Sequence, residues 1–486
     1  MIKEAVNSAT SEDKTTGSLG FELPDVVFRD YDIRGFAESE ITSEFAQRLG
    51  NSLAYIFTQD NHHSVYIGRD CRLSSPILAE ALKEGLLRAG VNVYELGMVT
   101  TSILNYAVHH GGKASCGIMV TASHNPGDYN GFKLIVRNQV MAGETLQRIK
   151  SQMQKGQTSS TVSGQQFSQQ VSADYLQKIV AGCCVKPGFK IVIDAGNGAA
   201  GPSAVTLFEK LGCHLIPLFC EPDGAFPNHD PNPSSEKNLE KLIETVLSTQ
   251  ADLGFAFDGD GDRLVVISAT GEVIWPDRLM MIFAKDILVR HRDAKIVFDV
   301  KSSSRLDQLV RQHAGIPVMC KTGHAHVRQA VIESSALLGG EFSGHIFFND
   351  RWDGFDDGLY AAARLLEILS ADDMAKYPAH LRLTHIIAGL DHSVYTPEIL
   401  VPISEDKKFA VMETLAKNCQ FDGANIITID GLRVEYATGW GLIRASNTSA
   451  NLTLRFEADC EQESQRIKTL FRTQLSPFIK NLDQYL

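Results

Sequence analysis

Three apolar, β-branched runs each turn polar at an aspartate: VYIGRD (Val65 to Asp70), IVIDAGNG (Ile191 to Gly198) and IVFDVKSS (Ile296 to Ser303). A continuous apolar run of this length reads as a strand buried on both faces, and each is followed by a stretch with helical character. After the first, SPILAEALKEGLLRAG offers a serine cap, a proline at the next position, helix-period leucines and a closing glycine. Each unit then reaches a second apolar strand that ends in an unusual loop: CGIMVTASHNPG, LGFAFDGDGDR and ALLGGEFSGH. First and second strands lie roughly 40 to 65 residues apart, which leaves room for a βαβ crossover. The chain therefore repeats one plan three times, an α/β unit that delivers a polar loop from a strand end. Ligands of open α/β sheets bind at such strand ends.

Beyond about residue 385 the pattern changes. EYATGWGLIRASNTSANLTLRFEAD reads as a strand, a Gly- and Ser-rich loop and another strand, followed by the helix-like CEQESQRIKTLFRTQL. This predicts a smaller α+β unit with its own polar loop at Arg444 to Thr448. The units are expected at 22–168, 169–272, 273–384 and 385–486, behind a polar, poorly ordered lead-in at 1–21. QMQKGQTSSTVSGQQFSQQ is polar enough for a connecting surface segment.

Composition narrows the function class. A net charge of −12 disfavours nucleic acid as a partner, because phosphate backbones select a basic footprint. Small phosphorylated ligands remain open, since a few local cations make a positive pocket in an acidic protein. No run approaches the roughly 18 apolar residues of a membrane span, and the N-terminus lacks the pattern of a secretory signal. Nine scattered cysteines without a CxxC pair predict free thiols and a cytoplasmic setting.

DGDGDR carries the strongest chemical signal. Asp258, Asp260 and Asp262 repel one another at a buried strand end unless a cation neutralises them, and Gly259 and Gly261 allow a tight wrap. Magnesium suits such a set of hard oxygens and leaves positions for phosphate. An EF-hand is excluded: the sixth position is Arg263 rather than glycine, and the twelfth is Ala269 rather than glutamate. Arg263 adds a cation suited to a phosphoryl group. In EFSGH, an extended segment would point Glu341, Ser343 and His345 the same way, toward vicinal sugar hydroxyls. KTGHAHV offers Lys321, His324 and His326 without a third metal ligand, so no zinc site is expected. Lys301 ends the first strand of the third unit and is a candidate phosphate contact or a surface lysine. RASNTS, with Arg444, Ser446, Asn447 and Thr448, is an anion cradle or an ordinary turn. In FRDYDIRG, Arg29 and Arg34 flank Tyr31 and Asp32, and reach a phosphate or pair with the neighbouring aspartates. Ser123, in VTASHNPGDYNG, is locally indistinguishable from a capping serine.

Taken in order, FRDYDIRG, TASHNPGDYNGFK, DGDGDR, GGEFSGH and RASNTS resemble the α-D-phosphohexomutase superfamily, and within it the bacterial phosphomannomutase/phosphoglucomutase branch. The match runs from about residue 22 to the end. The resemblance implies four domains around a central cleft, three similar α/β units plus a smaller C-terminal α+β domain. It implies that Ser123 is phosphorylated and that Asp258, Asp260 and Asp262 hold Mg2+ together with a phosphoserine oxygen. His124, Lys133, Arg34 and His345 fall at positions used around the reacting groups, Lys133 and His345 being candidates for proton transfer or charge stabilisation. Glu341 and Ser343 match the sugar-contacting loop, and Arg444, Ser446, Asn447 and Thr448 the loop that grips the non-reacting phosphate. Tyr31, Arg263, Lys301 and His324 are further contacts. The implied reaction interconverts hexose 1-phosphate and hexose 6-phosphate of mannose or glucose, through a hexose 1,6-bisphosphate that also serves as activator. Phosphoglucosamine mutase is the alternative by the same mechanism; a magnesium-dependent sugar phosphatase and a non-catalytic sugar-phosphate scaffold are the remaining readings. A site built within one subunit leads to the expectation of a monomer, with a dimer allowed.

Overall fold

The computed structural model describes residues 23–137, 139–156, 160–446, 449–479 and 482–486. The sequence-predicted lead-in at 1–21 lies outside them. Four sheets follow one another along the chain. The first three share a core arrangement in which two parallel strands are followed by an antiparallel return. In the first, Ser64–Arg69 pairs in parallel with Cys116–Val120, which turns back into Tyr129–Val136. The second repeats this with Lys190–Asp194, Leu253–Phe257 and Leu264–Ser268. In the third the strands are Lys295–Asp299, Leu338–Gly340 and Ile346–Phe348. The chemistry-bearing loop of each unit is the turn from the second strand into its return, so the three loops occupy one topological position. The fourth sheet is antiparallel, with Leu432–Tyr436, Gly439–Ala445 and Asn451–Ala458 at its centre and the helix Glu461–Leu475 after it.

Two expectations need correction. The polar stretch 152–170 is not merely a linker: it finishes the helix Glu144–Lys155 and adds the strand Gln166–Ser168, which pairs with Asn92–Met98. The segment Glu341–His345 is not extended. It turns, with the Gly344 amide donating to the Glu341 carbonyl at 3.0 Å, and Gly344 at φ 107° supplies the bend.

The first three units are joined by one apolar core. It runs through the helices Thr101–His110, Ser172–Gly182, Pro276–Arg290 and Gly358–Leu369 and holds residues from Tyr66 to Leu390. The fourth unit has its own core, centred on Leu432, Leu454, Phe456 and Phe471. Among the described residues no helix is long and apolar enough to cross a membrane. All nine cysteines are free.

The helix Gly358–Leu369 starts hard against the DGDGDR loop. Its Asp357 cap accepts from the Tyr360 amide at 3.0 Å and from the Tyr175 hydroxyl of the second unit at 2.8 Å. A Cβ on Gly358 would meet the Arg263 carbonyl oxygen at 2.6 Å and that of Gly261 at 3.0 Å. Gly358→Ala should therefore destabilise the protein by about 1–3 kcal/mol, read as a lower denaturation midpoint. An unchanged midpoint would mean the helix does not approach the loop this closely.

Candidate active site

The serine loop leaves the strand Cys116–Val120 and is fixed before it reaches Ser123. Thr121 Oγ1 donates to Asp70 Oδ2 at 2.7 Å and accepts from the Ser123 amide at 2.9 Å. Ser123 itself has φ 52°, a left-handed conformation unusual for a non-glycine residue. The fully buried Arg72 holds that strained shape. Its guanidinium donates to the carbonyls of Ser123 at 2.9 Å, Asn125 at 2.6 Å, Pro126 at 2.5 Å and Tyr129 at 3.1 Å. Asp70 balances Arg72 through a 3.0 Å ion pair and accepts from Ser75 Oγ at 2.5 Å. Sequence reasoning missed both roles. Asp70 was visible as the polar end of a strand, but nothing local connects Arg72 to carbonyls some fifty positions on.

Across the boundary between units, Ser123 Oγ donates to Asp258 Oδ2 at 2.7 Å. Asp258, Asp260 and Asp262 are fully buried, and ligand oxygens from the three lie within 4.8 Å of one another. Gly261, at φ 75°, permits the wrap. Asp258 Oδ1 accepts from the amides of Asp262 and Arg263, both at 3.1 Å. Asp260 Oδ2 accepts from Thr101 Oγ1 at 2.5 Å and from Lys133 Nζ at 2.7 Å. Lys133 Nζ also donates to Asp262 Oδ2 at 2.5 Å. Asp260 Oδ1 and Asp262 Oδ1 are buried without a hydrogen-bond partner.

The electrostatics follow from this crowding. Burial, with Asp262 and Asp260 beside it, pushes the Asp258 carboxyl well above the usual range. Burial would also raise Asp260, but Lys133 and Thr101 hold it below its ordinary value. Burial alone would lower Lys133, yet Asp260, Asp262, Asp258 and Asp356 keep it charged. Three buried carboxylates with two orphaned oxygens form a hard donor set with more negative charge than one ammonium cancels. That set fits a divalent cation.

His345 stands on the far side of Asp262. Its Nδ1 lies 2.8 Å from Asp356 Oδ2 and 3.4 Å from Asp262 Oδ1, while Nε2 accepts from Arg263 Nε at 3.0 Å. Burial, partly offset by Asp262, moves its pKa down to about 4, so the ring is neutral. A neutral ring that accepts at Nε2 carries its proton on Nδ1, facing the two carboxylates. In this tautomer Nδ1 presents a proton; the ligand atoms of Asp262, His345 and Asp356 lie within 4.8 Å of one another. His124 Nδ1 is 3.3 Å from Ser123 Oγ, and burial drives the pKa values of His124 and His324 well down. Arg34, on the strand Ile33–Phe36, pairs with Asp32 and donates to Asn125 Oδ1 at 2.6 Å.

A chain of ring contacts leads from His345 in the third-unit loop to Tyr31 of the first unit. The His345 ring lies 5.3 Å from that of His324, which meets Tyr31 edge-on at 4.8 Å. Glu341 accepts from the Gly323 amide at 3.0 Å and from the hydroxyl of Ser343. Lys301 and Arg444 are each paired with a carboxylate that sequence reasoning did not single out. Lys301 pairs with Glu398 and Arg444 with Asp430, both at 3.0 Å. Ser446 lies at the end of the Arg444 strand, and its carbonyl accepts from Lys408 Nζ at 2.5 Å. Asn447 and Thr448 lie outside the described residues.

Comparison with known proteins agrees with the four-unit plan. Family models described as phosphoglucomutase/phosphomannomutase, alpha/beta/alpha domains I, II and III, match residues 25–160, 173–271 and 275–382. The C-terminal domain model of the same family matches 398–474. A Pseudomonas aeruginosa protein named phosphomannomutase/phosphoglucomutase is 46% identical over 454 residues, 93% of this chain and 96% of its own. A Neisseria meningitidis phosphoglucomutase is 43% identical over 449 residues, covering 92% and 96% of the two chains. The crystal structure of a Burkholderia thailandensis phosphoglucomutase/phosphomannomutase family protein superposes with a TM-score of 0.87 at 40% identity, covering 94% of this chain and 98% of that one.

The Arg72 clamp makes a direct prediction. Arg72→Met removes the donors that hold the loop carbonyls, so amide exchange at residues 123–125 should accelerate on the order of 10- to 100-fold. Unchanged exchange would show that the loop keeps its shape without Arg72.

Proposed function

This chain belongs to the phosphoglucomutase/phosphomannomutase family of the α-D-phosphohexomutase superfamily, and on that premise we propose that it interconverts the 1- and 6-phosphates of glucose and mannose. In this reading Ser123 carries the phosphoryl group, and a hexose 1,6-bisphosphate is both the bound intermediate and the activator. The observation that carries the reading is the 2.7 Å contact between Ser123 Oγ and Asp258, a carboxylate of a different unit. A merely capping serine has no need of a buried acidic partner.

Each turnover begins with attack by the free sugar hydroxyl on the phosphoserine phosphorus. The new P–O bond forms as the Ser123 Oγ–P bond breaks, the hydroxyl proton leaves to a base, and the serine oxygen is restored. The bisphosphate then turns end for end and returns its other phosphate to Ser123. Asp258, Asp260 and Asp262 would hold Mg2+, which when bound would offset charge on the transferring group. Lys133 enters as an ammonium and serves as a charge partner or proton donor. His345, neutral and accepting from Arg263 Nε, holds that guanidinium beside Asp258, whose carboxylate lies 3.7 Å from Nε. Arg34 orients the serine loop through Asn125. Glu341, Ser343, His324 and Tyr31 face the sugar hydroxyls, while Lys301, Arg444, Ser446, Asn447 and Thr448 take the non-reacting phosphate. Burial of the reacting groups keeps out the water that would turn transfer into hydrolysis. Free thiols throughout support a cytoplasmic setting.

Purified protein should carry extra mass equal to one phosphate, and Ser123→Ala should remove it and lower turnover at least about a thousandfold. Glucose and mannose 1-phosphates should be converted at similar order of magnitude in a coupled assay started with catalytic hexose 1,6-bisphosphate, with glucosamine phosphate slower. Release of inorganic phosphate in place of the isomer would identify a phosphatase instead.

A further inference from the structure

Lys301, Glu398, Asp430 and Arg444 form a charge cluster where the third and fourth units meet. Lys301 and Arg444 are each 5% exposed. Lys301 Nζ lies 3.0 Å from Glu398 Oε1, and Arg444 Nε donates to Asp430 Oδ2 at 3.0 Å. That same Asp430 oxygen accepts the Thr322 amide of the third unit at 3.0 Å. The two pairs sense one another: burial would raise the Glu398 carboxyl, but Lys301 and then Arg444 hold it below its usual range. These four groups by themselves sum to neutral; Asp299 and Glu341 add negative charge around Lys301, and Arg455 adds a cation near Glu398, so the surroundings carry no excess of positive charge.

A neutral cluster is a poor receptor for a phosphate monoester, which carries about −1.5 to −2 charge. Adding that charge beside Glu398 and Asp430 costs repulsion, whereas replacing them leaves two cations for one dianion. Leaving Lys301 and Arg444 buried with no anion at all is costly as well. Building on the reading that these cations grip the non-reacting phosphate, we propose that Glu398 and Asp430 are exchangeable counter-ions that the substrate phosphate displaces. Displacement frees Asp430 from the Thr322 amide, so the same event loosens one tie between the fourth unit and the third. The carboxylates thereby compete with phosphate at each binding step. They keep the grip weak enough for the bisphosphate to let go and turn.

Asp430→Asn and Glu398→Gln keep side-chain size and remove the competing charge. In the full-length enzyme, each should lower the KM for glucose 1-phosphate and the inhibition constant of inorganic phosphate at least about fivefold, with kcat lower or unchanged. Constants that stay the same or rise, in a variant that melts as wild type does, overturn the exchange. If Asp430→Asn does not fold, Glu398→Gln carries the test. The two readings separate cleanly. Wild-type protein that turns over sugar phosphates while the variants bind no tighter refutes only the exchange. Wild-type protein with no turnover, but with tighter inorganic phosphate binding in the variants by direct titration, refutes the mutase reading and supports the exchange.

Discussion

Three carboxylates buried at one loop, with a serine from another unit hydrogen-bonded to the first of them, set the terms for the rest of the molecule. Burying that much negative charge is unfavourable unless it is compensated, and the compensation comes from several directions. Lys133 reaches in from the return strand of the first unit, Thr101 from a helix of the same unit, and Arg263 from the loop itself. His345 and Asp356 close the far side. These groups come from three units, so the site exists only when the three are docked.

Two kinds of joint maintain that docking. The first three units share an apolar core, which suits a constellation whose oxygens must stay within a few tenths of an ångström. The fourth joins the third largely through buried polar contacts. Arg433 donates to the carbonyls of Val300 at 2.6 Å and Ser302 at 2.8 Å, Arg455 pairs with Asp277 at 2.9 Å, and Ser303 Oγ donates to Glu457 at 2.6 Å. A small apolar patch of Val300, Trp440 and Leu442 accompanies them. Hydrogen bonds and ion pairs can trade partners with a charged ligand in a way that packed hydrocarbon cannot. The joint nearest Lys301 and Arg444 is thus the one chemically able to respond to a charged ligand.

Much of this was legible in the chain. The three repeated strand-and-loop units follow from hydrophobic patterning, because a strand buried on both faces leaves an unmistakable apolar run before its polar end. The metal loop was readable for a similar reason: alternating aspartate and glycine has few other uses at a buried strand end. What stayed hidden depends on contacts between distant segments. Arg72 belongs to no motif, and only the fold shows that its guanidinium holds four carbonyls around Ser123. Glu398 and Asp430 carried no motif, since their meaning comes from the cations they meet. Glu341, Ser343 and His345 were expected to converge by strand alternation; the segment turns instead, because Gly344 adopts a left-handed conformation and the strand ends at Gly340, and Ser343 donates to Glu341 while His345 meets Arg263 and Asp356.

The central claim is that a phosphate on Ser123 and the carboxylates of Asp258, Asp260 and Asp262 share one divalent cation. Its most direct test is the phosphorus NMR resonance of the phosphorylated protein titrated with substoichiometric Mn2+. The account predicts strong paramagnetic broadening of the phosphoserine signal, abolished by magnesium competition and absent in an Asp260→Asn variant that still carries the phosphate. A phosphoserine signal that stays sharp while the protein binds Mn2+ would place the cation elsewhere and contradict the account.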